Sequence, residues 1–262
     1  MIEHIRQVLQ EVAEREQVRV LLAVESGSRA WGFASPDSDW DVRFVYVRRV
    51  EAYLSIAPPR DVIEAALPND VDLAGWDLPK ALRLFAKSNP ALLEWIRSPI
   101  VYATDDAFIE KLRRLEPSYI SLRSGMYHYR SMSMTNFRTG LQDDLVKLKK
   151  YLYVVRPLLA CRYLERTGQW PPVPFRELID TEVQNQTLRI AIEELLAKKA
   201  QVGEIGVGPR IPTLDEFIVS ELDRLDKLDL DAPRATSFEP LDELFRSEVL
   251  GGEGASPSNE TP

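Results

Sequence analysis

Three aspartates, Asp39, Asp41 and Asp72, stand where carboxylates could hold a metal ion. Asp39 and Asp41 are two residues apart at the start of an apolar run. Because side chains on a strand alternate between its faces, these two carboxylates should point the same way. Asp72 lies between Val71 and Leu73, in surroundings where an isolated carboxylate is costly. Oxygen ligands from two neighbouring strands suit Mg²⁺, which takes one or two protein carboxylates together with substrate phosphates.

A Gly-Ser pair precedes these aspartates. Gly27 and Ser28 follow the apolar run at 18–24, and Asp39 comes eleven residues after Ser28. The glycine permits a tight turn, and the backbone N–H groups and the hydroxyl of such a turn can cradle phosphate oxygens. Alone, either an Asp-x-Asp pair or a Gly-Ser turn is more often structural. Their order and spacing favour phosphate chemistry.

Hydrophobic periodicity predicts the elements that must position these residues. The first fifteen residues form an amphipathic helix, and short strands follow at 18–24, 39–47, 62–66 and 71–74. From residue 78 the pattern becomes helical. Helices are predicted at 78–88, 91–97, 105–115, 119–138, 141–167, 187–199 and 214–228.

This outline predicts an α+β fold, with a small mixed-sheet palm followed by an all-helical domain. We expect the palm at 1–100, the helical domain at 101–248 and a disordered tail at 249–262. Loops are expected at 169–174, which is rich in proline, and at 203–209, which is rich in glycine.

Composition excludes several classes of protein. Hydrophobic residues make up 45% and charged residues 28% of the chain, as in ordinary soluble proteins. No stretch has the roughly 18 consecutive apolar residues of a membrane helix, and the N-terminus lacks the apolar core of a signal peptide. The one cysteine, Cys161, excludes a disulfide framework and predicts a reducing, cytoplasmic location. Two histidines leave little material for histidine-based chemistry.

The net charge of −8 is unevenly distributed. Residues 110–175 contain 12 basic and 5 acidic residues and so carry +7, whereas both flanks are acidic. This basic segment is either a contact surface for a polyanion or a set of solvated helix faces. The acidic total argues against indiscriminate duplex binding and favours a small or single-stranded anionic ligand.

Three longer segments resemble a known family. They are ESGSRAWGFASPDSDWDVRFVYV, DLAGWDLPKALRLFAKSNPALLEWIRSPIVY and KKYLYVVRPLLACRYLERTGQWPP. Gly-Ser followed by Asp-x-Asp resembles the signature of the DNA polymerase β nucleotidyltransferase superfamily. The longer strings, over residues 20 to 220, resemble its RNA-repair-pathway (RlaP-like) branch.

The resemblance implies transfer of a nucleoside monophosphate from an NTP to an acceptor hydroxyl, with two Mg²⁺ ions and Mn²⁺ as an alternative. The expected acceptor is an RNA (tRNA-like) 3′ end, and no membrane is involved. Two alternatives stay open: nucleotidylation of a protein or small molecule, as in toxin-type and antibiotic-modifying relatives, and a nucleotide-sensing module without turnover.

The resemblance also implies roles for individual residues. Asp39, Asp41 and Asp72 are the expected metal ligands and catalytic residues, with Asp72 near the attacking hydroxyl. The expected nucleotide-binding residues are Gly27, Ser28, Arg29, Ser38, Arg43, Lys149 and Arg156.

Several side chains allow two interpretations. Arg43 either binds phosphate or forms an ion pair with Asp39 or Asp41. Lys149 and Arg156 are seven residues apart and share a helix face, where they either contact an anion or are solvated. Three tryptophans either stack on a base or belong to the core: Trp31, Trp76 and Trp95.

Overall fold

A five-stranded mixed sheet dominates the first part of the chain in the computed structural model, which describes residues 1–68, 70–202, 206–228 and 237–251. Its strands are β1 (Val18–Glu25), β2 (Trp40–Arg48), β3 (Val62–Leu67), β4 (Val71–Asp77) and β5 (Val101–Thr104). They lie in the order β3-β4-β2-β1-β5, with β2 and β4 parallel and the other neighbours antiparallel. The four predicted strands and the predicted α+β class are confirmed.

The helices follow largely as periodicity predicts. In chain order they are α1 (Ile2–Glu16), α2 (Gly27–Ala30), α3 (Val50–Tyr53), α4 (Leu78–Ala86), α5 (Pro90–Ile96), α6 (Asp106–Tyr119), α7 (Leu122–Gly140), α8 (Lys149–Thr167), α9 (Phe175–Glu182), α10 (Gln186–Val202), α11 (Pro212–Asp226) and α12 (Glu239–Gly251). Within the described ranges, no helix is long and apolar enough to cross a membrane.

The helix predicted at 141–167 is wrong in its first eight residues. The segment contains the short strand β6 (Leu145–Lys147), which pairs with β7 (Val207–Pro209) in a two-stranded ribbon. Of the predicted turn at 203–209, residues 203–205 lie outside the described residues. The expected tail at 249–262 starts too early, because α12 continues through Gly251, and its remainder lies outside the described residues.

One face of the sheet is covered, and the other is covered in part. On one face, Ile5, Leu9 and Val12 of α1 pack in a cluster that includes Phe44 and Leu73. On the other face, β1 and β2 contribute side chains to a core that continues into the helices. Alternation along β1, β2 and β4 produces both surfaces, and the second one carries the candidate site.

Helix α8 is the centre of the helical region. It packs along α7, where the Ser133 hydroxyl donates a hydrogen bond to the Val154 carbonyl at 2.8 Å. Side chains on all sides of α8 are buried, from Tyr151 to Leu164. Neither a solvated basic face nor one in contact with an anion is therefore present around Arg156, which is 2% exposed.

A buried ion pair joins the helical region to the sheet region. Arg156 donates to Glu94 of α5 at 3.0 Å and to the Val173 carbonyl at 3.0 Å. The Glu94 carboxylate also accepts hydrogen bonds from the Trp31 indole and the Tyr129 hydroxyl, each at 2.9 Å. Five segments distant in sequence therefore meet at one carboxylate and one guanidinium.

Helix α12 returns to the sheet region. The Glu248 carboxylate accepts hydrogen bonds from Arg19 of β1 at 3.0 Å and from Lys111 of α6 at 2.9 Å. Phe245 packs edge-on against Tyr53 at 5.1 Å between ring centroids. Strand β5 also lies beyond residue 100 and pairs with β1. The division at residue 100 stays a proposal, and these contacts favour a sheet unit that includes β5 and α12.

The first prediction concerns the buried pair. Arg156→Met should lower the free energy of unfolding by about 3–5 kcal/mol, because it leaves the Glu94 carboxylate buried without its cation. Urea denaturation followed by circular dichroism measures the change. Arg114→Met is the matched control, because Arg114 is 77% exposed and pairs with the exposed Glu110; it should cost no more than about 0.5 kcal/mol. Equal losses in the two variants would contradict the role of the pair.

Candidate functional site

The parallel pairing of β2 and β4 brings two of the three predicted aspartates together. Asp41 and Asp72 are directly opposite each other in the register. In β4, Val71, Leu73 and Gly75 are buried, whereas Asp72 and the alternate positions after it point to the opposite, open face. Period-two alternation therefore places both carboxylates on the same face of the sheet.

Arg43 lies between these carboxylates. Its Nη2 donates to Asp41 Oδ1 at 3.0 Å and to Asp72 Oδ2 at 2.7 Å, and its Nη1 donates to the Asp72 carbonyl at 2.9 Å. The sequence left open whether Arg43 binds phosphate or pairs with an aspartate, and in this structure it is paired. The bridge neutralises part of the repulsion between the two carboxylates.

The Gly27–Ser28 turn lies directly against Asp41. Strand β1 ends at Glu25, the Ser26 N–H donates to the Asp41 carbonyl at 2.9 Å, and α2 begins at Gly27. Gly27 has φ +59°, and a Cβ at this position would lie 2.1 Å from Asp41 Oδ2. Glycine adopts this left-handed conformation without strain, and its lack of a Cβ allows this approach to the carboxylate. Ser28 is largely buried, at 6% exposure.

Glu25 holds the backbone of Asp41 in place, and the sequence analysis did not identify it as a residue of the site. Its carboxylate is fully buried and accepts hydrogen bonds from the Asp41 backbone N–H at 2.9 Å and from the Tyr102 hydroxyl. Burial raises the pKa of Glu25, and these two hydrogen bonds oppose the rise. A glutamate that ends an apolar strand immediately before a Gly-Ser turn is the signal that could have revealed it. Its partner Tyr102, 77 residues later, has no comparable signal.

The environment of Asp41 alters the pKa of its carboxyl group. Burial raises the pKa of its carboxyl, the Arg43 guanidinium lowers it, and the charges of Asp72 and Asp39 raise it further. The charges of Asp39 and Asp72 beside Asp41 concentrate negative charge at this face, which favours a bound cation.

Asp39 is exposed and precedes β2 by one residue, in a loop that Arg29 holds. Arg29 donates to the carbonyl oxygens of Asp39 at 3.0 Å and Ser38 at 2.5 Å, and its guanidinium stacks on Trp40 at 3.8 Å. The Ser38 hydroxyl accepts a hydrogen bond from the Ser35 backbone N–H at 2.9 Å. Arg29 and Ser38 therefore order the loop that carries Asp39.

The donor types fit a magnesium ion, although the carboxylates are not arranged as a closed cage. Among the described residues, no group of three or more histidine, cysteine, aspartate or glutamate side chains could hold a metal ion. Asp41 and Asp72 nevertheless present hard oxygen donors side by side, and Mg²⁺ commonly uses one or two carboxylates plus phosphate.

The remaining predicted residues are not all near this face. Arg156 is in the interior, paired with Glu94, so in this structure it cannot meet a ligand at the surface. Its guanidinium also lies over Trp31 at 4.5 Å, and Trp31 is partly buried and packs against the core. Lys149 is partly exposed at the first turn of α8. Sequence spacing placed Lys149 and Arg156 on one helix face. In the structure Arg156 is buried, whereas Lys149 is partly exposed, so the two do not form one surface.

Trp76 and Trp95 pack against each other. Their ring centroids are 3.9 Å apart and their planes are tilted by 31°. Trp95 is 4% exposed, whereas Trp76 is partly exposed on the same face of β4 as Asp72. One of the three tryptophans considered from the sequence therefore reaches the site face.

A mixed sheet with a Gly-Ser turn packed against paired carboxylates is the arrangement expected of a polymerase-β-like nucleotidyltransferase. The sequence model of the RlaP family, described as "RNA repair pathway DNA polymerase beta family", matches residues 1–247. The chain belongs to this family, which confirms the resemblance and supports a nucleotidyltransferase role.

Two individual proteins are similar to the chain. The uncharacterized protein YcgL of Bacillus subtilis (strain 168) is 44% identical over 223 residues, which cover 84% of this chain and 86% of the relative. The crystal structure of a nucleotidyltransferase-like protein from Exiguobacterium sibiricum aligns with 95% of this chain and 77% of its own, at 14% identity. Its TM-score of 0.32 is too low to support a conclusion.

The second prediction isolates the contact between Gly27 and Asp41. Gly32 also has a positive φ, +79°, but a Cβ there would meet nothing within 4 Å. Gly32→Ala should therefore lose only the roughly 1–2 kcal/mol of left-handed backbone strain. Gly27→Ala should lose about 1–3 kcal/mol more, because the new methyl group displaces the Asp41 carboxylate.

Urea denaturation of both variants measures this difference in the free energy of unfolding. The wild type and the two variants are compared in the same buffer without divalent cations. Equal losses for Gly27→Ala and Gly32→Ala would show that the turn does not press against Asp41.

Proposed function

We propose that the chain is a Mg²⁺-dependent nucleotidyltransferase that moves a nucleoside monophosphate from an NTP such as ATP to the 3′ hydroxyl of an RNA. Membership of a family described by RNA repair supports the RNA acceptor. The site supports nucleotidyl transfer, because it combines paired carboxylates with a turn that can hold phosphate. A cytoplasmic location accompanies this proposal.

The parallel register of Asp41 and Asp72 beside Gly27 carries the proposal. Asp41 and Asp72 would hold the metal, with Asp39 as a further oxygen donor. When bound, two Mg²⁺ ions, or Mn²⁺ in their place, would neutralise charge on the attacking and leaving oxygens. Arg43 now uses the carboxylate oxygens that a metal needs. Its release from them would leave a guanidinium beside the site to contact a phosphate.

The chain's own residues supply positioning. Gly27 and Ser28 would bind the triphosphate through backbone N–H groups and the hydroxyl, and the glycine lets the phosphates approach Asp41. Asp72, whose side chain is 55% exposed, would accept a hydrogen bond from the attacking hydroxyl. The hydroxyl would give its proton to the Asp72 carboxylate as its oxygen bonds to the α-phosphorus, the bond from the α-phosphorus to the bridging oxygen would break, and pyrophosphate would leave. Phosphoryl transfer depends mainly on such positioning and charge neutralisation.

The experiment that tests this function is direct. The purified protein is incubated with Mg²⁺ and each α-labelled NTP, together with either total RNA or total protein. Label in RNA that is removed by ribonuclease supports the proposal. Label in protein, with none in RNA, would reassign the acceptor. No label in either fraction with any NTP, with Mg²⁺ or Mn²⁺, would reject it.

The third prediction concerns the carboxylates. Asp41→Asn and Asp72→Asn should each lower the rate of transfer by roughly 100-fold or more, because each removes a charged oxygen ligand. Asp41→Asn should not lower the free energy of unfolding, because burial already raises the pKa of this carboxyl and disfavours its charge.

Asp70→Asn is the matched control for these variants. Asp70 is two residues before Asp72 and has φ +56°, a conformation that asparagine also tolerates. Its rate should equal that of the wild type. The rate is measured with the best NTP and saturating acceptor. Full activity of Asp41→Asn would remove Asp41 from the site.

The fourth prediction concerns the phosphate turn. Ser28→Ala should weaken NTP binding by about 1.5–3 kcal/mol, the usual value of a hydrogen bond to a charged group. Isothermal titration calorimetry with Mg²⁺ measures the affinity. Ser55→Ala is the control, because the Ser55 hydroxyl bonds only to the backbone of Ala57 in an exposed loop. Unchanged affinity in Ser28→Ala would place the triphosphate elsewhere.

A further inference from the structure

A cleft of about 460 Å³ opens beside Asp72. Arg43 and Asp72 line one end, and Trp76 and Trp95 line the other. Ala74 lies between them, and Glu64 and Ala65 of β3 complete the lining. The cleft is separate from the Gly27–Ser28 turn. Of the nucleotide-binding residues expected from the sequence, Arg43 lines the cleft and the others do not. The part of its wall formed by Ala74, Trp76 and Trp95 has no role in the proposed function as stated above.

The strand geometry determines the length of the cleft. Asp72, Ala74 and Trp76 are alternate residues of β4, and all three point to the open face. Asp72 and Trp76 are four residues apart, which is about 13 Å along a strand. A ligand whose hydroxyl meets Asp72 can therefore place a ring on Trp76 only if a spacer separates the two. A nucleoside has this form, because its sugar separates the 3′ hydroxyl from the base.

The sheet order places the cleft on the acceptor side of the site. The Gly27–Ser28 turn follows β1, which borders β2 on one side, whereas β4 borders β2 on the other side and β3 lies beyond β4. The Asp41–Asp72 pair therefore lies between the turn and the cleft. If the turn holds the triphosphate, the attacking group approaches from the side of the cleft.

The chemistry of the cleft suits a planar ring. Trp95 is buried behind Trp76 and supports it, so the indole of Trp76 forms a firm surface. Ala74 contributes only a methyl group and leaves room in the middle of the cleft. Stacking of a base on an aromatic side chain is favourable for any base, since every base has a π-face.

We infer that this cleft binds the terminal base of a polynucleotide acceptor, stacked on Trp76, and so aligns the 3′ hydroxyl with Asp72. The inference rests on the proposed function and adds an acceptor subsite to it. A tyrosine acceptor fits less well, because its hydroxyl is attached to the ring and would hold that ring at Asp72, away from Trp76. A sugar-based antibiotic has no planar ring to stack.

Equilibrium binding without NTP tests the subsite separately from transfer. A short 5′-fluorescein-labelled single-stranded RNA is compared with the same RNA whose 3′-terminal nucleotide is abasic, by fluorescence anisotropy at one salt concentration. The wild type should bind the RNA with the terminal base roughly 5- to 150-fold more tightly, as base–aromatic stacking predicts.

Variants assign this preference to the cleft. Trp76→Ala should bind both RNAs equally, and Trp76→Phe should retain most of the preference. Ala74→Leu keeps the indole but fills the cleft, so it should also lose the preference, even if Trp76→Ala proves unstable. Tyr127→Ala is the matched control, because Tyr127 is an aromatic residue 51% exposed elsewhere on the surface. It should behave like the wild type.

Each other outcome overturns the inference in a recognisable way. Equal affinity of the wild type for the two RNAs, or loss of the preference in Tyr127→Ala, would remove the base from this cleft. A raised KM for the NTP in Trp76→Ala, with RNA binding unchanged, would assign the cleft to the base of the NTP. Labelling of protein alone, in the transfer assay, would reject the polynucleotide acceptor.

Failure of the proposed function looks different. If the wild type prefers the RNA with the terminal base but transfers no nucleotide to RNA or protein, the subsite stands as a binding site and the transfer reaction is rejected.

Discussion

A buried charge pair, Glu94 with Arg156, determines how the sheet region and the helical region meet. Withdrawing a carboxylate and a guanidinium from water costs several kcal/mol per ion, and the attraction between them offsets this only when the remaining hydrogen-bonding groups are well satisfied. Glu94 accepts from Arg156, Trp31 and Tyr129. Since these donors lie on different segments, satisfying one carboxylate fixes the position of α5, α7, α8 and the chain after α2 together.

This constraint reaches the site through Trp31. Trp31 is three residues beyond Ser28, its indole is bound to Glu94, and its carbonyl accepts the Phe175 N–H at 2.8 Å. The Gly-Ser turn is thus held from the helical region as well as from β1. The helices therefore do more than bury the sheet, because their contacts with Trp31 help to position the turn against Asp41.

Much of the site could be predicted from the sequence, because it depends on short-range patterns. Two apolar runs are enough to put Asp41 and Asp72 on strands, and a glycine before Ser28 is enough to predict a turn. The parallel register that puts the two carboxylates on one face was not predicted. The features of the site that the sequence could not show depend on partners that are distant in the chain. Arg156 has the sequence context of a surface cation, and only Glu94, 62 residues earlier, makes it a core residue. Glu25 and Tyr102 are likewise joined over 77 residues.

For the fold too, the elements with a clear local pattern were predicted and those that depend on distant partners were not. Strands β1 to β4 contain apolar runs and were predicted, whereas β5 has one buried side chain, Tyr102, and was not. The ribbon of β6 and β7 joins segments about 60 residues apart, so local periodicity favoured a continuous helix there. Helix α12 was also missed, and it packs against α4, α6 and β2, which precede it by more than 100 residues.

The packing of α12 against the sheet region has a consequence for folding during translation. Arg19, in the first strand, has its ion-pair partner at Glu248, 229 residues later. A ribosome must therefore make almost the whole chain before β1 acquires this partner, although the sheet carrying Asp41 and Asp72 is complete once β5 has emerged. Non-local closure of this kind is slow and leaves apolar surface open to wrong contacts during translation. A prematurely terminated chain lacking α12 would expose the uncovered surface of the sheet unit, which chaperones and proteases recognise.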